Sequence, residues 1–433
     1  MSRRNLSVLF ASLLIGLLCA VRSEHNPSAR VASRGFALID DLALEQPSDE
    51  ELLAGAMRGM VETLRRRGDE HSAYIEPRRA EPFQAEMRQE FGGIGVRIAV
   101  EGDPPRVTVV EPPLPGSPAY RGGVMSRDRI VAVDGESIID LPQEEVLGRM
   151  RGPVGEPITL SVERGEEPEQ LSIRLVREVI RVPSVIGDLP LADGGWQFAL
   201  EGAPEIALLR ITTFGNRTAD ELRDAIARLK QSGVRAVVID VRGNGGGAVD
   251  AAIGVAELFL PDGAEIFSTR GRGGEVLSRY QAWGGAPFGD LPLAVLIDRD
   301  SASASELLAA ALQDHGLAVV VGERSYGKGT VQQVLELNPA GALLKLTSAS
   351  FWRPSGEEIH RSPDKPVGSA GGVTPDDGLL VAMTDSERLA FYKWRRQRDL
   401  LPSDAEGADQ QAEDALTADA ALAKAVESLK QSL

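Results

Sequence analysis

Two short segments hold residues whose types and spacing could break an amide bond. The first is Asp298-Arg299-Asp300-Ser301-Ala302-Ser303-Ala304-Ser305-Glu306, which follows an apolar run and leads into a helical pattern. A serine on such a turn carries its hydroxyl at the carboxyl end of a strand, and the N–H groups that open the helix can stabilise an oxyanion. Taken alone, the segment is as well explained by Ser and Asp capping the helix, their commonest use. The second segment, Gly322-Glu323-Arg324-Ser325-Tyr326-Gly327-Lys328-Gly329-Thr330, sets a lysine among glycines after the next apolar run. Such a lysine is not an ordinary solvated charge. Buried beside a serine, it would have its pKa lowered by desolvation, and the neutral amine could act as general base. A Ser-Lys pair needs no histidine.

Competing chemistries fit less well. Beyond the leader described below the chain has only His25, His71, His315 and His360. His315 lies a helix length past the serine segment, too far to face back at its start, so neither a Ser-His triad nor a histidine metal site is expected. Gly322, Gly327 and Lys328 match the first part of a phosphate-binding loop. Gly329 stands where that loop needs a magnesium-binding hydroxyl, and Val331 to Leu335 reads as a strand rather than the required helix. Gly243-Asn244-Gly245-Gly246-Gly247, between an apolar strand and a helix, reads as a tight turn, an anion-binding backbone, or both together. An amide there could complete an oxyanion hole with that of Ala304.

The elements that must position these residues are of α/β type. Val234 to Val241 reads as a buried strand, Val249 to Leu260 as a helix, Leu293 to Ile297 as a strand, Ser305 to Asp314 as a helix and Leu317 to Val321 as a strand. Alternation of this kind implies a layered sheet with helical cover. Upstream, 91–178 is β-rich, with strands over Val96 to Val100, Arg106 to Val110 and Ile158 to Val162 and a short helix over Pro142 to Met150. Residues 24–90 read as helical, with Ser48 capping an amphipathic helix and a second polar helix through Phe83 to Glu90. The catalytic core is expected over 179–385. The tail over 386–433, rich in Ala, Asp, Glu and Gln after Pro402, reads as a loosely docked helix or as partly disordered.

The 433 residues suit two or three domains, and 42% hydrophobic content suits a globular class. Against 64 Asp and Glu stand 47 Lys and Arg, which argues against nucleic acid as a partner. Arg3 and Arg4 precede an apolar run from Leu6 to Leu18, the pattern of a secretory signal over 1–23 with cleavage after Ser23. An uncleaved membrane tether is the alternative. Cleavage would remove three Arg and no acid, and with them Cys19, the single cysteine. Leu18 stands where lipidation of Cys19 would want a small residue, so lipidation is not expected. The mature chain would hold neither a disulfide nor a catalytic thiol.

Taken together, Asp69-Glu70-His71-Ser72-Ala73-Tyr74, Glu90-Phe91-Gly92-Gly93-Ile94-Gly95-Val96, Asp240-Val241-Arg242-Gly243-Asn244-Gly245-Gly246-Gly247, the serine and lysine segments, and Gly372-Val373-Thr374-Pro375-Asp376 give a resemblance from about Asp49 to Asp376. Over that span the chain resembles the carboxyl-terminal processing, or tail-specific, proteases, S41-type serine peptidases with a PDZ domain. The resemblance implies a mixed α/β (α+β multidomain) architecture, with a catalytic core of ClpP/crotonase-like layering, an inserted β-rich PDZ domain and a helical N-terminal region. It implies Ser303 as nucleophile, 25 residues before Lys328, and Gln332 as a third member orienting the lysine. Ala304 and Gly246 would supply oxyanion amides. Gly93, Ile94, Gly95 and Val96 would present N–H groups to a substrate's terminal carboxylate while the peptide adds as a strand. Arg151 would respond to bound peptide.

Two departures concern turns rather than chemistry. Ser126-Arg127 replaces a usual Pro-Gly pair, and Glu70 replaces a usual proline. The expected protein is thus an exported, periplasmic or otherwise extracytoplasmic serine endopeptidase acting on proteins and peptides with free carboxyl termini, by chemistry that needs no metal or organic cofactor. The alternative is a catalytically silent PDZ scaffold. An adaptor protein and a homo-oligomer formed through the helical tail are left open.

Overall fold

The computed structural model describes residues 27–88, 91–101, 106–114, 116–139, 141–165, 169–180, 182–191, 195–337, 341–361, 371–399 and 414–433. The leader over 1–23, with Cys19, lies outside the described residues. Among the described residues, no helix is long and apolar enough to cross a membrane.

The chain divides into two compact units, 1–78 with 333–346, and 79–332 with 347–433. In the first, helix Asp49–Arg65 starts at Ser48 with both arms of a capping box, as its Ser-x-x-Glu pattern predicts. Helix Pro27–Leu42, within the stretch expected to be helical, precedes it and buries none of its residues. Strand Ala73–Ile75 pairs antiparallel with Leu343 to Lys345.

The second unit is built on a sheet with strand order Val185–Ile186, Ala203–Ile211, Ala236–Asp240, Leu293–Ile297, Ala318–Gly322. Its last four strands run parallel, with Leu209 beside Ile239, Ile239 beside Val295 and Val295 beside Val320. Helices cover both faces. Thr218–Gln231, Val249–Ala256 and Ala304–Asp314 bury Leu222, Ile226, Val255, Leu307 and Leu308 against Leu209, Val237, Ile239, Val295 and Ile297. Strands covered on both faces have no polar side to show, which is why Ala236–Asp240 and Leu293–Ile297 read as unbroken apolar runs.

The opposite face is covered by helix Ala420–Lys430, whose Leu422, Ala425, Val426 and Leu429 pack on Ile206, Leu208, Val238, Leu296 and Val321. The expectation of a loosely docked tail is corrected here. The alanines that made this stretch look featureless let the helix approach the sheet closely. Its N-cap Asp419 accepts from Leu422 N and forms a buried ion pair with Arg242, which also pairs with Asp240.

Within the same unit a six-strand antiparallel sheet, ordered Ile98–Glu101, Arg106–Val109, Arg129–Val133, Pro157–Arg164, Glu169–Val176, with Glu136–Ser137 also paired to Arg129–Val133, closes over Val107, Val109, Ile130, Val146, Leu160 and Val162. Val146 comes from helix Gln143–Met150. The loop Gly93 to Val96 is held by its carbonyls: Ile94 O accepts from Ala119 N at 2.9 Å and Gly95 O from Leu114 N at 2.9 Å. Asp128, fully buried, receives a two-pronged pair from Arg164 at 2.7 Å on each oxygen. The departure at Ser126-Arg127 has a structural cost: Arg127 holds φ 68, the left-handed conformation a glycine adopts freely.

Two predictions follow from the buried charges. Asp419→Ala leaves Arg242 under-compensated in the interior and uncaps the last helix, so unfolding in denaturant should show a loss of about 3–5 kcal/mol. An unchanged midpoint would mean the helix is peripheral after all. Burial by itself would raise Asp188 and Asp240, but pairing with Arg398 and Arg395, and with Arg242, holds both below the ordinary carboxyl range. Their stabilisation should therefore be complete above about pH 4 and drain as pH falls below it. A pH titration of the melting temperature tests this, and Asp188→Asn should flatten the acid limb.

Candidate active site

The serine segment turns sharply from strand Leu293–Ile297 into helix Ala304–Asp314. Its three serines are not equivalent. Ser301 and Ser305 are fully buried and their hydroxyls donate to backbone carbonyls, Ser301 Oγ to Val241 O and Ser305 Oγ to Asn244 O, each at 2.8 Å. Ser303 is half-buried at the helix N-cap with φ 57 and ψ −115. A non-glycine residue held there is strained by about 1–3 kcal/mol, and a strained strand-to-helix turn is a geometry that presents a nucleophile.

The glycine turn lies directly against it. Gly246 has φ 104, and a Cβ on it would stand 2.9 Å from Ser303 Cβ and 3.0 Å from Ala304 N. Only glycine leaves that space beside the serine and the first amide of the helix. The Gly246 N–H itself donates to Asn244 Oδ1 at 2.8 Å, so in this structure Gly246 contributes clearance, with its amide occupied. Asn244 is buried and also donates to Ile211 O at 2.7 Å, fixing the turn.

Lys328 is half-buried between two glycines that neighbouring chain locks in place. Gly327 O accepts from Arg361 N at 2.9 Å, Gly329 O accepts from Phe351 N at 2.7 Å, and a Cβ at Gly329 would stand 2.1 Å from His360 N. The turn is tied to the serine turn by Tyr326 N, which donates to Ser301 O at 3.0 Å. Gln332 directs its Nε2 to Thr330 Oγ1 at 2.8 Å and Thr330 O at 3.2 Å, along its own strand, Thr330–Leu337.

The link sequence reasoning missed is Glu306. Its carboxylate, fully buried, accepts from Ser303 N at 2.8 Å and Lys328 N at 2.9 Å on Oε2, and from Gly327 N at 2.6 Å and Ser325 Oγ at 2.5 Å on Oε1. Two nitrogens that share one acceptor oxygen lie at most roughly 6 Å apart, so the backbones of Ser303 and Lys328 are neighbours. Burial pushes this carboxyl up, while the bonds from Ser325, Gly327, Ser303 and Lys328 pull the other way by favouring its charged form. The signal was present as the spacing Ser303-x-x-Glu306, but that pattern reads as an ordinary capping box.

The Gly372 to Asp376 motif supports the same turns. Ser325 Oγ accepts from Val373 N at 2.7 Å, and Asp376 accepts from Val320 N at 2.7 Å and Gln313 Nε2 at 2.7 Å. It thereby joins strand Ala318–Gly322 to the serine helix. No group of three or more His, Cys, Asp or Glu among the described residues could hold a metal ion.

A buried α/β sheet with a serine strained at a helix start, beside a glycine turn and a lysine turn, defines a serine-type peptidase core, and residues 109–164 match a PDZ domain. Peptidase family S41 matches residues 205–377. The carboxy-terminal-processing protease of Bartonella bacilliformis is 34% identical over 409 residues, spanning 90% of this chain and 87% of its own. The carboxyl-terminal-processing protease of a Picosynechococcus species is 31% identical over 354 residues, spanning 81% and 80%. Among solved structures, the photosystem II D1 C-terminal processing protease aligns at 27% identity with a TM-score of 0.46, covering 80% of this chain and 86% of that one. The chain belongs to peptidase family S41, among its carboxyl-terminal processing proteases.

Glu306→Gln tests the shared carboxylate. An amide offers one acceptor oxygen instead of two, so two of the four donors lose their partner, each at about 1–3 kcal/mol. Stability should fall by that order and peptidase turnover with it. Wild-type stability and rate together would show that the carboxylate does not hold the turns.

Proposed function

We propose that this peptidase cuts exported proteins internally, choosing them by their carboxyl-terminal tails, with Ser303 as nucleophile and Lys328 as general base. The observation that carries the reading is the single Glu306 oxygen receiving both Ser303 N and Lys328 N. The strained Ser303 backbone and the fully bonded Ser301 and Ser305 support the choice among the serines.

The tail of an unstructured substrate docks at Gly93, Ile94, Gly95 and Val96, adding as a strand beside Ile98–Glu101. The scissile carbonyl then reaches Ser303. Neutral Lys328 takes the Ser303 proton as Oγ attacks, and the oxyanion is met by the Ala304 amide in the space Gly246 leaves open. Lys328 returns the proton to the leaving amine, and water, activated by the same amine, releases the acyl group. Gln332 steadies the lysine strand through Thr330. The arginine-flanked apolar run over 6–18 supports export, with the enzyme working outside the cytoplasm, periplasmic or tethered by an uncleaved leader.

The test is cleavage of an unstructured protein ending in an apolar, free carboxyl terminus. Ser303→Ala and Lys328→Ala should each lower kcat/KM by at least about 10³-fold. Both should fold, since Ser303 and Lys328 bind Glu306 through their backbones. For wild type, kcat/KM should rise with pH as the ammonium gives up its proton. Tail binding without cleavage by wild type would favour a silent scaffold, and activity retained in Ser303→Ala would remove the proposed nucleophile.

A further inference from the structure

Behind the three turns runs helix Asp385–Arg398, past the matched peptidase stretch of 205–377. It starts from a full capping box at Thr384 and Glu387. Near its middle Tyr392 reaches Asp298, the residue just past strand Leu293–Ile297. Asp298 is 1% exposed, and its Oδ1 collects Gly243 N at 3.0 Å, Asp300 N at 3.1 Å and Ser301 N at 3.1 Å, with Ser301 Oγ, whose proton goes to Val241 O, 3.1 Å away. One oxygen therefore ties the glycine turn to the serine turn. The other, Oδ2, takes the Tyr392 phenol. The phenol also backs the glycine turn, 3.0 Å from where a Cβ on Gly243 would be.

The same helix holds the lysine turn. Arg388 pairs with Glu323 at 2.6 Å and donates to its other oxygen at 3.0 Å, and Met383 N donates to Glu323 at 3.1 Å. Glu323 opens the segment that carries Lys328. Phe391 lies under the Arg242 guanidinium, 4.7 Å from its ring centre, and Arg395 and Arg398 anchor the far end on buried Asp188.

We propose that this helix is a brace that sets the three catalytic turns in register, and that Tyr392 is its positioning residue, acting on Ser303 through Asp298. The proposal rests on Ser303 as nucleophile. A carboxylate that collects three backbone donors on one oxygen can pivot about that oxygen, and the phenol on the second oxygen removes the pivot. Burial first, then the charge of Asp298 and the bond to it, push the Tyr392 phenol well above its ordinary range. It therefore stays a donor under the alkaline conditions that favour a neutral lysine.

Tyr392→Phe removes one hydroxyl and keeps the ring, so it separates positioning from packing. The assay is tail-bearing substrate cleavage by full-length wild type, Tyr392→Phe and Ser303→Ala, with folded fraction and tail affinity measured on each. The expected result is a kcat lower by about 10- to 100-fold in Tyr392→Phe, with KM and tail affinity within about twofold of wild type. A lower melting temperature with unchanged kcat per folded molecule would overturn the brace and leave a structural hydrogen bond. If Ser303→Ala stays active, the nucleophile assignment and the brace fall together. If Ser303→Ala is dead while Tyr392→Phe keeps full kcat, the brace alone falls. Should Tyr392→Phe not fold, Arg388→Gln at the lysine end of the helix is judged by the same kcat and KM criteria.

Discussion

The serine turn and the lysine turn meet on one carboxylate that cannot be seen from outside. Glu306 is buried in the first turn of the serine helix and holds Ser303, Ser325, Gly327 and Lys328 at once. A buried carboxylate is costly unless its lone pairs are used, and here four donors use them. The serine and lysine turns are thereby brought together as a condition of folding. The strain at Ser303 is tolerated because the helix behind it is buried almost throughout, from Ala304 to Leu312.

The sheet explains why the turns can meet at all. Strands ending at Asp240, Ile297 and Gly322 are parallel neighbours, so their carboxyl ends deliver the glycine, serine and lysine turns to one edge. Crevices at that edge are where open α/β sheets place their ligands. Asp376 and Asp298 add cross-ties between elements that parallel pairing leaves independent.

Much of this was legible in the residues. The apolar runs at 236–240 and 293–297 declared buried strands because no face of them meets water, and Ser48-x-x-Glu51 declared a helix start. The lysine among glycines marked a turn that Glu306 ties to the serine turn. What stayed hidden were partnerships across long sequence distance: Glu306 with Lys328, Asp298 with Tyr392, Arg242 with Asp419. None has a local pattern, since each depends on which turns the sheet brings side by side. The tail misled for a different reason. Alanine is small enough to pack flat on a sheet yet carries little hydrophobic signal, so Ala421 and Ala425 looked like filler.

That last helix also orders events in time. The underside of the sheet, with Ile206, Leu208, Val238, Leu296 and Val321, is complete only when residues 420–430 arrive to cover it, some two hundred positions after the first strand it touches. A chain emerging from its amino end has made its serine and lysine turns long before that. It must wait, with one apolar face bare, for its closing piece. Folding of the peptidase core is thus completed only when residues 420–430 are available, and until then an apolar face is open to association.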